Sequence, residues 1–233
     1  MGETGSVATG QDVSRERAIL KDGKHPPFFS EDFRAEFETL LAWRRDVRHF
    51  SSEPLPDGAF ERLIETTALA PSVGNAQPWR FVRISSPNLR DRLADHVDAA
   101  SRSAAQAYES DRAAAYRALK LHGLREAPDV LAVYSDEKPT AGHGLGIATM
   151  PEMLRYSTVM AIHTLWLAAR AQGIGVGWVS IVDPQTVSDL LDMPDDWSLI
   201  AILCIGYPIC PTDQPELATR GWQQRSTPEI IDR

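Results

Sequence analysis

Apolar residues recur along this chain with two periods, one near 3.6 and one near 2, and the alternation between them predicts its elements. Ser30 can cap a helix whose apolar positions Phe33, Phe37, Leu40 and Leu41 follow the i, i+4, i+7, i+8 pattern. Asp57 opens a second helix, with Phe60, Leu63, Ile64 and Thr67 on one face and Pro71 as its stop. Residues 79–84 read as a strand, and residues 89–123 as a long, alanine-rich, charged helical excursion with a break. A second strand spans 129–134. After the glycine-rich connection 141–146, a helix over 152–172 carries Leu154, Thr158, Ala161, Ile162, Leu165 and Ala168 at helical spacing, and Gly173 suits its C-terminal cap. A strand over 174–181, a short helix near 184–191 and an apolar strand over 199–206 follow. Helices alternate with strands, which points to an α/β or α+β class with a sheet sandwiched by helices. No internal repeat of fixed period is visible.

Composition narrows the picture. With 233 residues and 43% hydrophobic content, the chain can bury a full core. The expectation is a poorly ordered segment over 1–30 and a single domain over 31–233. A net charge of −8 argues against a general nucleic-acid binder and leaves room for an anionic small molecule at a local basic patch. The first 25 residues lack the apolar stretch of a signal peptide, and no run approaches membrane-spanning length, so a soluble, cytoplasmic protein is expected. Cys204 and Cys210 form neither a disulfide framework nor a zinc site, and Cys204, inside an apolar run, reads as a core filler.

The chemistry concentrates in Arg44-Arg45-Asp46-Val47-Arg48-His49-Phe50, which packs three guanidinium groups and one carboxylate into seven residues after the first helix. Arginine forks match phosphate oxygens, so Arg44 and Arg48 would converge on one phosphate if this turn is helical. Alternatively, the arginines simply answer the helix macrodipole. Asp46, set among arginines, is held ionised and is either a base or proton carrier or a salt-bridge partner of Arg44 or Arg48. Further on, Ala70-Pro71-Ser72-Val73-Gly74-Asn75-Ala76-Gln77-Pro78-Trp79-Arg80-Phe81-Val82 is a polar loop entering a strand, with chemistry suited to the edge of a heteroaromatic ring.

Other readings lack their parts. Neither Gly142-x-Gly144-x-Gly146 nor Gly173-x-Gly175-x-Gly177 has dinucleotide spacing, and the second stands between a helix and a strand, the reverse of a Rossmann turn. Gly175 and Gly177 either let a ring approach the strand closely or ease helix packing. The histidines show no metal-ligand spacing, no serine sits in G-x-S-x-G, and His163 reads as an ordinary helix residue. Ser180 ends a strand, either at a pocket mouth or as an ordinary strand-end serine.

Together RRDVRHF and APSVGNAQPWRFV resemble the nitroreductase-like flavoproteins. The resemblance runs roughly over 40–225 and implies an α+β three-layer sandwich, a central mixed sheet flanked by helices, and a homodimer whose C-terminal segment wraps the partner. Most members carry serine at the position of Asp46. Aspartate there, with Gly175-Val176-Gly177-Trp178-Val179-Ser180-Ile181, is similar to the branch that fragments reduced FMN with dioxygen to 5,6-dimethylbenzimidazole, the lower ligand of vitamin B12. That implies Asp46 and Ser180 as the catalytic pair. It implies Arg44, Arg45, Asp46, Val47 and Arg48 around FMN phosphate and ring edge, and Ser72, Gly74 and Gln77 near the isoalloxazine. Residues 89–123 look like that branch's lid, with Arg112 and Leu121 touching flavin, and Arg225 is a further phosphate ligand. No metal is implied, and reduced FMN would come from a separate flavin reductase. A nitroreductase-like oxidoreductase using NAD(P)H and a non-catalytic FMN carrier are the alternatives.

Overall fold

The computed structural model describes residues 27–233, so most of the segment expected to be poorly ordered lies outside the described residues. Among the described residues, contacts divide the chain into two units, one ending at Phe37 and one over Glu38–Arg233. In the first, the Ser30 hydroxyl accepts the Phe33 amide at 3.1 Å, the expected cap of helix α1 (Glu31–Trp43). The rings of Phe29, Phe33 and Phe37 stack in sequence at 4.8 and 6.4 Å.

The second unit holds the sheet. Helix α2 (Ala59–Thr66) starts after Gly58, which adopts a left-handed conformation with no side-chain cap, so Asp57 does not cap it as expected. A short 3-10 turn, Thr67–Leu69, carries the chain toward Pro71. Strand β1 (Trp79–Arg83) is followed by helix α3 (Pro87–Ala104), capped by the Ser86 hydroxyl, and helix α4 (Ser110–Arg117). The expected break falls at Tyr108 and Glu109, whose backbone is extended. Then come β2 (Asp129–Asp136), α5 (Met153–Ala171), β3 (Gly175–Val179), α6 (Pro184–Leu191), β4 (Trp197–Gly206) and the single-turn α7 (Glu216–Thr219). Asp183 caps α6 by accepting the Thr186 amide at 2.8 Å.

The strands run in the order β1-β2-β4-β3 with every neighbour antiparallel. Parallel character enters through one bridge, Asp46 to Val176, on the free edge of β3. Strand pleating sends alternate residues to opposite faces. On one face Val130, Ala132, Ile202 and Cys204 pack with Leu93 and Val97 of α3 and Val187 of α6. On the other, Leu131, Val133, Leu203 and Ile205 meet Leu63 of α2 and Ile162, Leu165 and Ala169 of α5. Each fully buried leucine here contributes about 1.5–3 kcal/mol. The result is a helix-sheet-helix sandwich of the α+β class. Cys204 lies inside it, its thiol pushed up by burial to about 12, which is the core role expected.

Candidate functional site

The last helical bond of α1 in this region is Arg44 N–H to the Leu40 carbonyl at 2.9 Å. Beyond it the backbone leaves the helix and lies along β3, where the Val47 amide donates to the Val176 carbonyl at 3.1 Å. The expected convergence of Arg44 and Arg48 therefore does not occur. Without a helix through Arg48, Arg44 lies over the Trp166 indole at 4.9 Å while Arg48 turns to Asp46 and to the Lys120 carbonyl. Gly175 and Gly177 make the docking possible. A Cβ at Gly175 would stand 2.8 Å from Val47 Cγ2, and one at Gly177 only 2.0 Å from the Val47 carbonyl oxygen. What approaches these glycines so closely is Val47 of the same chain, its side chain at Gly175 and its backbone at Gly177.

Asp46 is fixed from two sides. Its Oδ1 accepts the Trp178 amide at 2.7 Å and its Oδ2 accepts Arg48 Nε at 2.9 Å. Burial pushes the carboxyl above its ordinary range, and the opposing pull of Arg48, the Trp178 amide and Arg44 does not cancel it. The charge-based expectation of a carboxyl held low by the arginines is not met, because desolvation outweighs them. Arg45 is also crowded. Its Nη2 donates to the Leu41 carbonyl at 3.1 Å, while its Nε is buried with no partner. Burial, then Arg44 and Arg225, lower its proton affinity against the opposing Asp213. This corner is rich in cations and short of anions.

A cavity of about 580 Å³ opens here, a size suited to a small organic ligand. Arg45, Asp46, Val47 and Arg48 line it beside the indoles of Trp43 and Trp166. Trp166 also donates its ring N–H to the Arg45 carbonyl at 3.2 Å and stacks on Trp178 at 6.3 Å. Both tryptophans are structural members of the site that the sequence reading passed over. Trp166 sits in the register of Ile162 and Ala169 and looked like core alone.

The remaining expected residues lie elsewhere in the chain. The Ser72 hydroxyl accepts the Gln77 amide at 3.1 Å, and Gly74 and Gln77 hold positive φ of 54° and 47°. Their loop leans on α5, through Val73 N–H to the Ser157 hydroxyl at 3.0 Å, and on the 141–146 connection, where a Cβ at Gly74 would meet the Leu145 carbonyl at 2.8 Å. None of the three lines the Asp46 cavity. Ser180 is exposed just past the end of β3, two positions beyond Trp178, and does not line it either. Leu121 lines a second cavity of about 290 Å³ with Arg117, Lys120 and His122. Arg112 stacks over Trp222 at 4.1 Å and donates to its carbonyl at 3.3 Å. Tyr108 and Tyr116 complete the cover of Trp222, so the tail packs across α4 of its own chain. Arg225 is exposed and adds its charge to that of Arg45. Among the described residues, no group of three His, Cys, Asp or Glu side chains could hold a metal ion.

Comparison with known proteins extends this geometry. The 5,6-dimethylbenzimidazole synthase of Rhodospirillum rubrum is 51% identical over 207 residues, 89% of this chain and 98% of that relative. A 5,6-dimethylbenzimidazole synthase of Rhodobacter capsulatus is 48% identical over 196 residues, 84% of this chain and 95% of the relative. Among solved structures, iodotyrosine deiodinase bound to FMN and 3-iodo-L-tyrosine has a TM-score of 0.65 at 24% identity, covering 84% of this chain and 97% of that one. A nitroreductase-like protein of Streptococcus mutans has a TM-score of 0.61 at 19% identity, covering 85% and 99%. At these identities the structures bear on fold alone, and they share the sandwich described above. The nitroreductase family model matches residues 41–207, from the end of α1 through β4, and with it the docked arginine segment and the whole sheet: the chain belongs to the nitroreductase family.

Proposed function

We propose that this protein fragments reduced FMN in the presence of dioxygen to 5,6-dimethylbenzimidazole, the lower ligand of vitamin B12. The carrying observation is the Asp46 carboxyl, held between Arg48 and the Trp178 amide on the wall of a cationic cavity. It stands in a chain about half identical to enzymes named for that product. The residues fit the substrate. The partnerless Arg45 Nε and the nearby Arg225 call for an anion, and the FMN phosphate supplies one. The cavity is large enough for a ligand of that size.

In this reading Arg45 and Arg225 hold the phosphate, Arg44 adds its charge from over Trp166, Arg48 lies at the ring edge through its hold on Asp46, and Val47 borders the ring. Reduced FMN supplies the electrons and the carbon skeleton, and dioxygen is the oxidant. Asp46, whose burial raises its proton affinity, is a better base than a carboxyl of ordinary range and takes and returns the protons of the reaction. The Ser180 hydroxyl is the second proton-handling group, with Arg112 and Leu121 closing over the flavin. Ser72, Gly74 and Gln77 reach the ring from a second copy of the chain. Support for such a homodimer lies beside their loop, where Leu69, Leu145, Tyr156 and Val159 are 82%, 72%, 51% and 40% exposed. A separate flavin reductase delivers reduced FMN, and the reaction takes place in the cytoplasm.

One incubation tests the proposal: reduced FMN, protein and air, followed by mass analysis. Dimethylbenzimidazole supports it. Intact flavin with rapid turnover of added NADPH would instead make the protein an oxidoreductase, and intact flavin without turnover would make it a carrier.

A further inference from the structure

We propose that His122 and Asp98 form a positioning pair that sets the Arg48 guanidinium against the Asp46 carboxylate. The inference rests on Asp46 being the proton-handling group of the proposed reaction. Neither His122 nor Asp98 lines the cavity on which Asp46 opens, so the pair acts through the intervening chain.

The connection is a continuous set of hydrogen bonds. Arg48 has two anchors: its Nε donates to Asp46 Oδ2 at 2.9 Å, and its Nη1 donates at 3.2 Å to the carbonyl of Lys120, 72 positions away. A planar guanidinium with one end on a carbonyl can present the other to the carboxylate only as well as that carbonyl is placed. The Lys120 carbonyl belongs to a segment with no regular secondary structure, residues 119–123, whose ends are held by backbone turns, so between them side chains set its place. Two residues on, His122 Nε2 meets Asp98 Oδ1 of α3 at 2.8 Å. The Leu124 amide donates to His122 Nδ1 at 3.4 Å, which leaves the imidazole proton on Nε2, directed at the carboxylate.

Asp98 is itself fixed. Burial pushes its carboxyl up, but hydrogen bonds from His122 and Arg125 outweigh burial and hold it below its ordinary range. Arg125 grips Asp98 at 3.0 Å and Asp95 at 2.7 Å, both on α3. Gly123 closes the gap to the Arg48 segment, since a Cβ there would lie 2.5 Å from the Phe50 ring and 3.1 Å from the Arg48 carbonyl. The segment is thus clamped between α3 and the Arg48-to-Phe50 stretch.

The charged surroundings are few. Asp46 faces Arg48 and Arg44 from its own segment, the Trp178 amide from β3 and the neutral Cys204 thiol from β4. His122 faces Asp98 of α3 and, from its own segment, Glu126, which is paired with Lys120 at 2.7 Å, while Arg102 of α3, Arg117 of α4 and Arg125 line the same small cavity. Loosening His122 therefore reaches Asp46 by way of Arg48, whose weakened hydrogen bond leaves the carboxyl easier to protonate.

The test is a carboxyl ¹³C NMR titration of the full-length protein labelled at aspartate, with the Asp46 signal identified by its loss in Asp46→Asn. His122→Leu is expected to move the Asp46 titration upward by about half a pH unit or more, the size of a loosened charge-assisted hydrogen bond. His122→Gln, whose amide can still donate to Asp98, should stay near the wild type. An Asp46 titration unmoved in folded His122→Leu overturns the proposal. If that variant does not fold, Asp98→Asn, which keeps an acceptor for His122 but loses the Arg125 ion pair, is expected to give a smaller upward shift, and no shift overturns it equally. The readout needs no turnover. A wild type that makes no dimethylbenzimidazole would sink the functional reading while leaving the titration to judge the coupling.

Discussion

Val47 and Gly177 touch backbone to backbone: a Cβ at residue 177 would stand 2.0 Å from the Val47 carbonyl oxygen. The whole Arg44–Arg48 segment depends on that closeness, because Val47 bonds the Val176 carbonyl and Asp46 the Trp178 amide on either side of the glycine. Gly177→Ala must push the segment off β3. Overpacking of this kind costs about 1–3 kcal/mol. The expected outcome is a lowered melting temperature by calorimetry together with an FMN affinity reduced at least tenfold by fluorescence titration. Wild-type affinity in the alanine variant would mean that docking on β3 does not shape the flavin site.

Asp46→Asn should stop dimethylbenzimidazole formation while weakening FMN binding far less, since the amide keeps the shape and one acceptor oxygen but loses the basic oxygen. Stability provides a second readout. The folded-state carboxyl sits above its unfolded value of about 3.8, so it binds its proton more tightly in the fold. Its stabilising contribution is full below the unfolded value and is lost as pH rises through the folded one. Urea melts should therefore show the wild type losing ground to Asp46→Asn as pH rises above about 4. A difference independent of pH would contradict the raised value.

Ser180→Ala is expected to lower product yield more than FMN affinity. A lost hydroxyl removes one hydrogen-bond partner, worth about 1 kcal/mol in binding, whereas a broken proton relay is felt mainly in turnover. Comparing flavin titration with single-turnover product yield separates the two. Equal losses would make Ser180 a structural residue.

The sandwich was legible because its strands and long helices carry strong periods. Leu131, Val133 and Leu203 are apolar and central, and Leu154 to Leu165 repeat at helical spacing. The arginine segment was legible as chemistry but not as shape. Arg44 to Arg48 follows directly on α1, and its docking on β3, through Gly177, the Val176 carbonyl and the Trp178 amide far along the chain, takes it out of the helix. Distance in sequence also hid the anchors of Arg48, since a backbone carbonyl such as that of Lys120 has no signature of residue type. The tail carried no periodic signal, and its large aromatic, Trp222, is covered within the same chain by Tyr108 and by Arg112 and Tyr116 of α4, so it lends no weight to a second subunit.

The case for a homodimer therefore rests on the exposed face beside the Ser72-to-Gln77 loop. On α5, Tyr156 and Val159 point outward at 51% and 40% exposure while Thr158 and Ile162 are buried, so the helix has an apolar stripe on both sides. A helix apolar on its outer side is normally covered. Val159→Asp places a charge on that stripe without touching the core or the Asp46 cavity. The variant is expected to run as a monomer in light scattering where the wild type is a dimer, and to bind FMN at least tenfold more weakly because the second copy's Ser72, Gly74 and Gln77 are lost. A monomeric variant with undiminished flavin affinity would confine the flavin site to one chain, and a wild-type monomer would remove the dimer altogether.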